Sequence, residues 1–305
     1  MNLLLLAFMF ATERAGRTAL GPGLGADYPA FHIAGFILNR YPPDRLYDAQ
    51  LQDRLYHQLL PARPREEMLP FAQGPIIAFL LRPFAALPYA WSYAGWLLLS
   101  GGMALAALIL TFRTAGSIPR SDRITAMLLA LSFAPLLTEC WLGGQTSAFG
   151  LFWVALALRC ERLNRPFAVG AALAMCLYKP TLLLLLIPML AVGGRFRTLV
   201  GFAAAGLGLA AFCLVAIRPA GCLAYVQMIL GYAQNVAGST TAFRTFKFID
   251  IRSFFTLLLG GPGKAVRWAS LATALIGLPF LVACWWKAGR QGGDRRLLAF
   301  CATIS

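Results

Sequence analysis

Charge is what this chain has least of. Asp, Glu, Lys and Arg together make up 13% of its 305 residues, about half of the roughly 25% usual in a soluble domain. A water-facing surface cannot be covered from that supply, so a soluble globular domain is excluded. Acids are the scarcer sign, 12 against 27 Lys and Arg, and there are two His. The few acids hold no adjacent Asp-x-Asp pair of the kind that signals a metal site. Seven cysteines (140, 160, 176, 213, 222, 284 and 301) show no pair with metal-ligand spacing. Several lie inside apolar runs, where they read as small packing hydrophobes. No metal and no cofactor is therefore expected, and a disulfide between Cys140 and Cys222 is left open.

Apolar residues, at 59%, are what is present instead. A hydrocarbon core about 30 Å thick takes about 20 apolar residues per helix, and Trp91 to Phe112, Phe196 to Ile217 and Ala265 to Trp286 each supply that length. The only charges inside them, Arg197 and Arg267, lie near the ends, within reach of the interface. The expected fold class is an all-α polytopic membrane protein.

The formal charge of +15 reads as topology once the basic residues are located. Arg113, Arg120 and Arg123 form one group, and Arg159, Arg162 and Arg165 a second. Arg195 with Arg197 forms a third, and Lys287, Arg290, Arg295 and Arg296 a fourth. These short loops hold 12 basic residues against three acids, Asp122, Glu161 and Asp294, the bias of cytoplasmic loops. Nucleic acid is not an expected partner; membrane lipids are. Residues 11–88 carry eight basic and seven acidic residues, lack that bias, and are expected to form a first extracytoplasmic loop. Residues 218–264 are expected to form a second. Trp91, Trp96, Trp141 and Trp268 near outer ends, with Trp285 and Trp286 at an inner one, fit interfacial belts.

One stretch resists a single crossing. Pro166 to Val192 has basic loops at both ends, so spanning once would put Arg195 and Arg197 on the wrong side. Lys179-Pro180 lies near its middle, where proline removes a backbone donor and disfavours helix in the residue before it. The sequence thus predicts two half-length helices that turn at Lys179, inside the membrane or near its outer surface. Backbone there must be covered by protein or line a wet cavity. At the termini, Leu3 to Ala11 is too short to span and lacks signal-peptide flanks. Leu297 to Ser305 begins another apolar run. Both ends are expected to be incomplete, within one membrane domain over 1–305.

Several residues carry candidate chemistry. An intramembrane lysine is costly, so Lys179 is expected to be functional or to cap the broken helix. Asp27 follows the flexible Gly21–Ala26 entry and suits a base beside the membrane surface; a plain N-cap for a helix from Tyr28 is the simpler alternative. His32 lies five residues on. Tyr47 to Leu60 repeats apolar residues every four positions and reads as an interfacial helix that also carries His57, with Asp48 and Asp53 on its solvated face. Gly143 to Ser147 opens a span where free amides could receive an anion, or where Thr146 or Ser147 simply caps. Glu139 is a candidate partner of Lys179 or a second carboxylate. In the second loop Arg244, Lys247 and Arg252 lie among phenylalanines, a pattern suited to a lipid phosphate or to a plain amphipathic segment.

Taken in order, Asp27-Tyr28, Leu46-Tyr47-Asp48, Gln73-Gly74-Pro75, Arg82 to Pro88, Gly144-Gln145 and Lys179-Pro180 resemble glycosyltransferase family 87. That resemblance implies a GT-C-like bundle with short broken or re-entrant helices in a cell membrane, its site facing the periplasm or exterior. It implies an inverting transfer of a mannose-like sugar from a polyprenyl-phosphate donor to a lipid or glycan hydroxyl, with Asp27 as general base. Tyr28, His32, Gln145, Lys179, Arg244, Lys247 and Arg252 are the candidate substrate-binding residues. A transporter or lipid flippase, or a polysaccharide polymerase or ligase, is the alternative.

Overall fold

The computed structural model describes residues 7, 8, 10–12, 19, 25–61, 69–115, 119–132, 141–238, 251–291, 299–301 and 303. Among them the ordered elements are helices, with no strand. This is the all-α membrane protein expected from composition.

Three helices are long and apolar enough to cross a bilayer, within Tyr89–Ala115, Phe196–Gly231 and Lys264–Gly289. They coincide with the three long apolar runs, because length and hydropathy alone define a span. The first part of the chain packs differently. Helix α1 (Tyr28–Arg40) is buried over most of its length. Helix α2 (Ala49–Leu59) follows, capped by the Asp48 carboxylate accepting from the Leu51 amide at 3.0 Å. Asp48 therefore starts a helix and pairs with Arg45 at 2.7 Å, where a plain solvated acid was expected. The apolar face of α2 is likewise not interfacial. Leu51, Leu55 and Tyr56 pack with Ile33 and Ile37 of α1. Gln52 pins the segment by donating to Leu46 O and accepting from Phe71 N, both at 2.8 Å. Helix α3 (Pro75–Leu81) then leads into the first span, α4 (Tyr89–Ala115), and α5 covers Arg120–Ser132.

The predicted break is present. Helix α6 (Ser147–Arg162) is followed by α7 (Pro166–Ala174), which tightens into a 3₁₀ turn, Met175–Tyr178. After Lys179 a second 3₁₀ turn, Pro180–Leu183, leads to α8 (Leu186–Val192). Helix α9 (Phe196–Gly238) then runs parallel to α7. Gly201 of α9 lies against the backbone of Phe167, Gly170 against Thr198 and Phe202, and Gly206 faces Leu177. Both contact series ascend together, which requires the chain to have turned back between them. Side chains at Gly170 and Gly201 would collide with backbone; glycine there lets the two helices touch along their main chains.

The basic loops meet at one end of this bundle. The Arg159 guanidinium donates to Arg113 O at 2.9 Å, Arg195 pairs with Glu161, and Gly193 touches Trp285 and Gly289. Their convergence follows from the hairpin; a straight crossing would have separated Arg195 from Glu161.

Two further features depart from expectation. Helix α9 continues past Ile217 to Gly238 with a kink at Arg218, whose φ of 62° is left-handed and which precedes Pro219. The start of the expected second loop is thus helical. Proline breaks the hydrogen-bond ladder and bars α geometry in the residue before it, which redirects the helix without ending it. Helix α10 (Ile251–Leu258) and the final span α11 (Lys264–Gln291) pack on each other. Among the tryptophans, Trp91, Trp268 and Trp286 are exposed as a belt requires, whereas Trp96 and Trp285 are buried and hydrogen-bonded within the protein. The terminal runs 3–11 and 297–305 lie largely outside the described residues.

Candidate active site

Four separated segments are hydrogen-bonded together at the end of the bundle opposite the basic loops. The Asp27 amide donates to Gly143 O at 2.9 Å, and the Gly74 amide to Tyr178 O at 3.1 Å. The Thr146 hydroxyl donates to Gln73 Oε1 at 2.9 Å, and the Tyr178 hydroxyl to Thr146 O at 3.1 Å. Asp27, Gln73-Gly74, Gly143 to Thr146 and the Tyr178-Lys179 turn are thereby one assembly. Its depth follows from helix length. Helix α6 starts at the assembly and ends among the basic loops after 16 residues, about 24 Å at 1.5 Å per residue. A core about 30 Å thick then puts the assembly at or just inside the opposite surface.

Asp27 occupies the N-cap position of α1, yet its side chain makes no capping hydrogen bond. The simpler cap reading is not met, and Pro29 at the second helical position leaves only the Ala30 amide as a possible donor to it. The Asp27 residue is half-buried. Tyr28, directly after it, is the hub beneath. Its ring sits among His32, Tyr89, Tyr93 and Trp96, and its hydroxyl meets Ser92 Oγ at 2.6 Å. The same Ser92 Oγ lies 2.8 Å from His32 Nδ1. All three residues are buried. Burial pushes the His32 pKa down to about 4 and pushes that of the Tyr28 hydroxyl up, partly offset by the Ser92 hydrogen bond. Both side chains are thus neutral at ordinary pH and engaged with Ser92 beneath Asp27.

The turn facing them is held just as closely. Trp96 donates to Gly144 O at 2.9 Å and Tyr93 to Leu142 O. Gly144 has a φ of +73°, and a Cβ there would come 2.7 Å from Tyr28 Cβ. Only glycine accepts both that backbone and that contact. Half-buried Gln145 accepts from Ser147 Oγ at 3.2 Å. Thr146 precedes α6 without a side-chain cap, because its hydroxyl is committed to Gln73.

Lys179 is exposed at the tip between the two 3₁₀ turns. The turn itself, closed by Lys179 N donating to Cys176 O at 3.0 Å, is what the neighbouring segments cover. Arg252 is exposed on α10, which packs on α11, and no described contact ties it to the assembly. Arg244, Lys247 and Glu139 lie outside the described residues, as does Cys140, while Cys222 is a free thiol. His57 lies 3.3 Å from the Asp53 carboxylate on α2. Among the described residues no group of three His, Cys, Asp or Glu side chains forms a metal-binding cluster.

Gln73, Ser92 and Tyr178 had no assigned role from sequence, and Thr146 only that of a helix cap. Gln73 stood in a recognised piece, Gln73-Gly74-Pro75, so a signal existed for it. Ser92 gives none, being one hydroxyl in an apolar helix.

Fold and site together define a membrane protein whose polar assembly lies across the bundle from its cationic loops. The family model for glycosyltransferase family 87 matches residues 71–305, well over half of the chain. The protein belongs to that family and is a membrane glycosyltransferase. The match begins at Phe71, so Asp27, Tyr28 and His32 precede it. Neither a curated protein nor a solved structure matches the chain.

Proposed function

We propose that the protein transfers a mannose-like hexose from a polyprenyl-phosphate donor to a hydroxyl of a lipid or glycan acceptor, at the extracytoplasmic face and within a GT-C-type bundle. The observation that carries this reading is the hydrogen-bonded assembly of Asp27, Gln73, Gln145 and the Lys179 turn, opposite the basic loops. Lys- and Arg-rich loops face the cytoplasm, so the assembly faces away from it, where a lipid-linked donor can be used without a soluble nucleotide sugar.

In the proposed step the acceptor hydroxyl gives its proton to the Asp27 carboxylate, and its oxygen bonds to the anomeric carbon. The bond from that carbon to the phosphate oxygen breaks, and the electron pair leaves with the polyprenyl phosphate, inverting the configuration. Lys179 offsets the growing charge on the phosphate, and Arg244, Lys247 and Arg252 are assigned to the same anion. Gln145 orients the sugar. Tyr28 and His32, both buried, hold the Asp27 backbone in place through Ser92.

The test is sugar transfer by the full chain in liposomes, across a panel of polyprenyl-phosphate sugars. Loss of a general base costs about 10²- to 10⁴-fold, so Asp27→Asn should lose at least a hundredfold while inserting normally. Full transfer by Asp27→Asn removes Asp27 from the mechanism.

A further inference from the structure

The basic end of the bundle contains a cavity of about 440 Å³, lined by Asn164, Pro166 and the stretch from Gly194 to Thr198. Two helices begin at its wall. Helix α7 starts at Pro166 and α9 at Phe196, and their parallel contact through Gly170 and Gly201 puts the two N-termini side by side. First-turn amides have no acceptor within their own helix. In the cavity lining these are the amides of Phe196 and Arg197 at the start of α9; α7 opens there on Pro166, which has none. Each helix start also carries partial positive charge.

Thr198 supplies an independent observation. The residue is 0% exposed, it lines the cavity, and among the described residues its hydroxyl has no hydrogen-bond partner. Helical threonines ordinarily return the hydroxyl to a carbonyl three or four residues back. Thr111, Thr114, Thr256 and Thr273 all do so to the residue four back, at 2.7 to 2.9 Å. Four residues before Thr198 stands Gly194, outside the helix with a φ of +67°, and the carbonyl three back, Arg195 O, already accepts from the Thr198 and Leu199 amides. A buried hydroxyl with no partner is costly to keep. Arg195, also in the lining, is paired with Glu161 and neutralises that acid. Arg197 is exposed at the rim.

We propose that this cavity binds a phosphate group. Phosphate oxygens only accept, and the amides, the Thr198 hydroxyl and the guanidinium of Arg197 all donate. The same chemistry is carried by the diester of an anionic phospholipid and by inorganic phosphate, and the site lies at the level of lipid headgroups. It is separate from the transferase assembly, across the full thickness of the bundle.

The test is thermal unfolding of the full chain in a neutral detergent, titrated with dioctanoyl phosphatidylglycerol, with inorganic phosphate against sodium chloride of equal ionic strength, and with dioctanoylglycerol. A saturable rise in the unfolding midpoint is expected with phosphatidylglycerol, and none with dioctanoylglycerol. A response to the lipid alone assigns the headgroup; a response to inorganic phosphate as well assigns the phosphate itself. A charge-assisted hydrogen bond is lost in Thr198→Val, so half-saturation should move up on the order of tenfold. Arg197→Gln should weaken binding several-fold, and the remaining affinity should depend less on salt. Without ligand, Thr198→Val should unfold no earlier than the parent, because its hydroxyl holds nothing. An earlier unfolding of that variant overturns the proposal. So does a titration with no saturable response to either phosphate probe, or one that neither variant alters.

Discussion

Replacing Gly170 by alanine tests the hairpin with a single methyl group. A Cβ at that position would stand 2.0 Å from Thr198 O, 2.3 Å from Phe202 N and 2.8 Å from Gly201 C. Ordinary contacts between carbon and such atoms are about 3.5 Å or more, and the obstacles are backbone, which no rotamer change removes. Helices α7 and α9 would have to part by more than about 1 Å, a gap that forfeits a quarter to a half of each contact along the seam. Overpacking of this kind costs about 1–3 kcal/mol, and a backbone obstacle belongs at the upper end. Alanine returns about 1 kcal/mol through its better helix propensity. The net is a loss of about 2 kcal/mol, roughly a thirtyfold fall in the folded-to-unfolded ratio. Gly208, in the same helix α9, has nothing among the described residues within 4 Å of its would-be Cβ, so Gly208→Ala should hold or raise stability. Unfolding midpoints of both variants in one detergent decide the matter. Equal midpoints for Gly170→Ala and Gly208→Ala would refute the parallel contact and with it the turn at Lys179.

Ser92→Ala should destabilise by about 2 kcal/mol, because it strands both the Tyr28 hydroxyl and His32 Nδ1 in a buried site, and it should reduce transfer by displacing Asp27; denaturation and transfer assays check the two effects. Lowering the pH should reveal His32. Its folded pKa of about 4 lies below the unfolded value near 6.5, so its stability contribution is full above about pH 6.5 and is lost as pH falls toward 4, by roughly 3 kcal/mol. His32→Gln should flatten that part of the midpoint-against-pH curve, and an unchanged slope would assign it elsewhere. In a background without native cysteines, Arg162→Cys and Thr240→Cys should be labelled from opposite faces by an impermeant maleimide. Labelling of both from one face would contradict the proposed orientation.

How much of this could be read in advance depends on how local the signal was. The spans at Tyr89–Ala115, Phe196–Gly231 and Lys264–Gly289 were legible because about 20 apolar residues in a row have few other uses. The turn at Lys179-Pro180 was legible because proline acts on its own neighbours and because the Arg195 cluster fixed a side. Arg218-Pro219 carried the same local mark, but a redirected helix and a loop both follow from it, and apolar residues continued the helix. The contacts that build the site are of another kind. Ser92 joins residues 60 and 64 positions away, and Thr146 meets Gln73 across 73. Such pairings depend on how helices cross, which no window of sequence contains. The α2 segment shows the same limit: its stripe of Leu51 and Leu55 was visible, but the partner, α1 in place of a lipid surface, was not.

The two halves of the hairpin have a consequence for how the chain is made. Pro166–Tyr178 and Pro180–Val192 are 13 residues each, about 20 Å of helix where a full crossing needs about 30 Å. Neither half can partition into a bilayer as a stable unit with its turn uncovered. The cover comes from both directions in the chain: Gly74 and Thr146, already synthesised, bond to Tyr178, and α9, still to come, presses on Gly170. Insertion and tertiary packing are therefore a single event for this segment. The polypeptide around Lys179 reaches its depth only after residue 201 has emerged, so the hydrogen-bonded assembly at Tyr178 is completed late in biosynthesis, after its first spans are already in place.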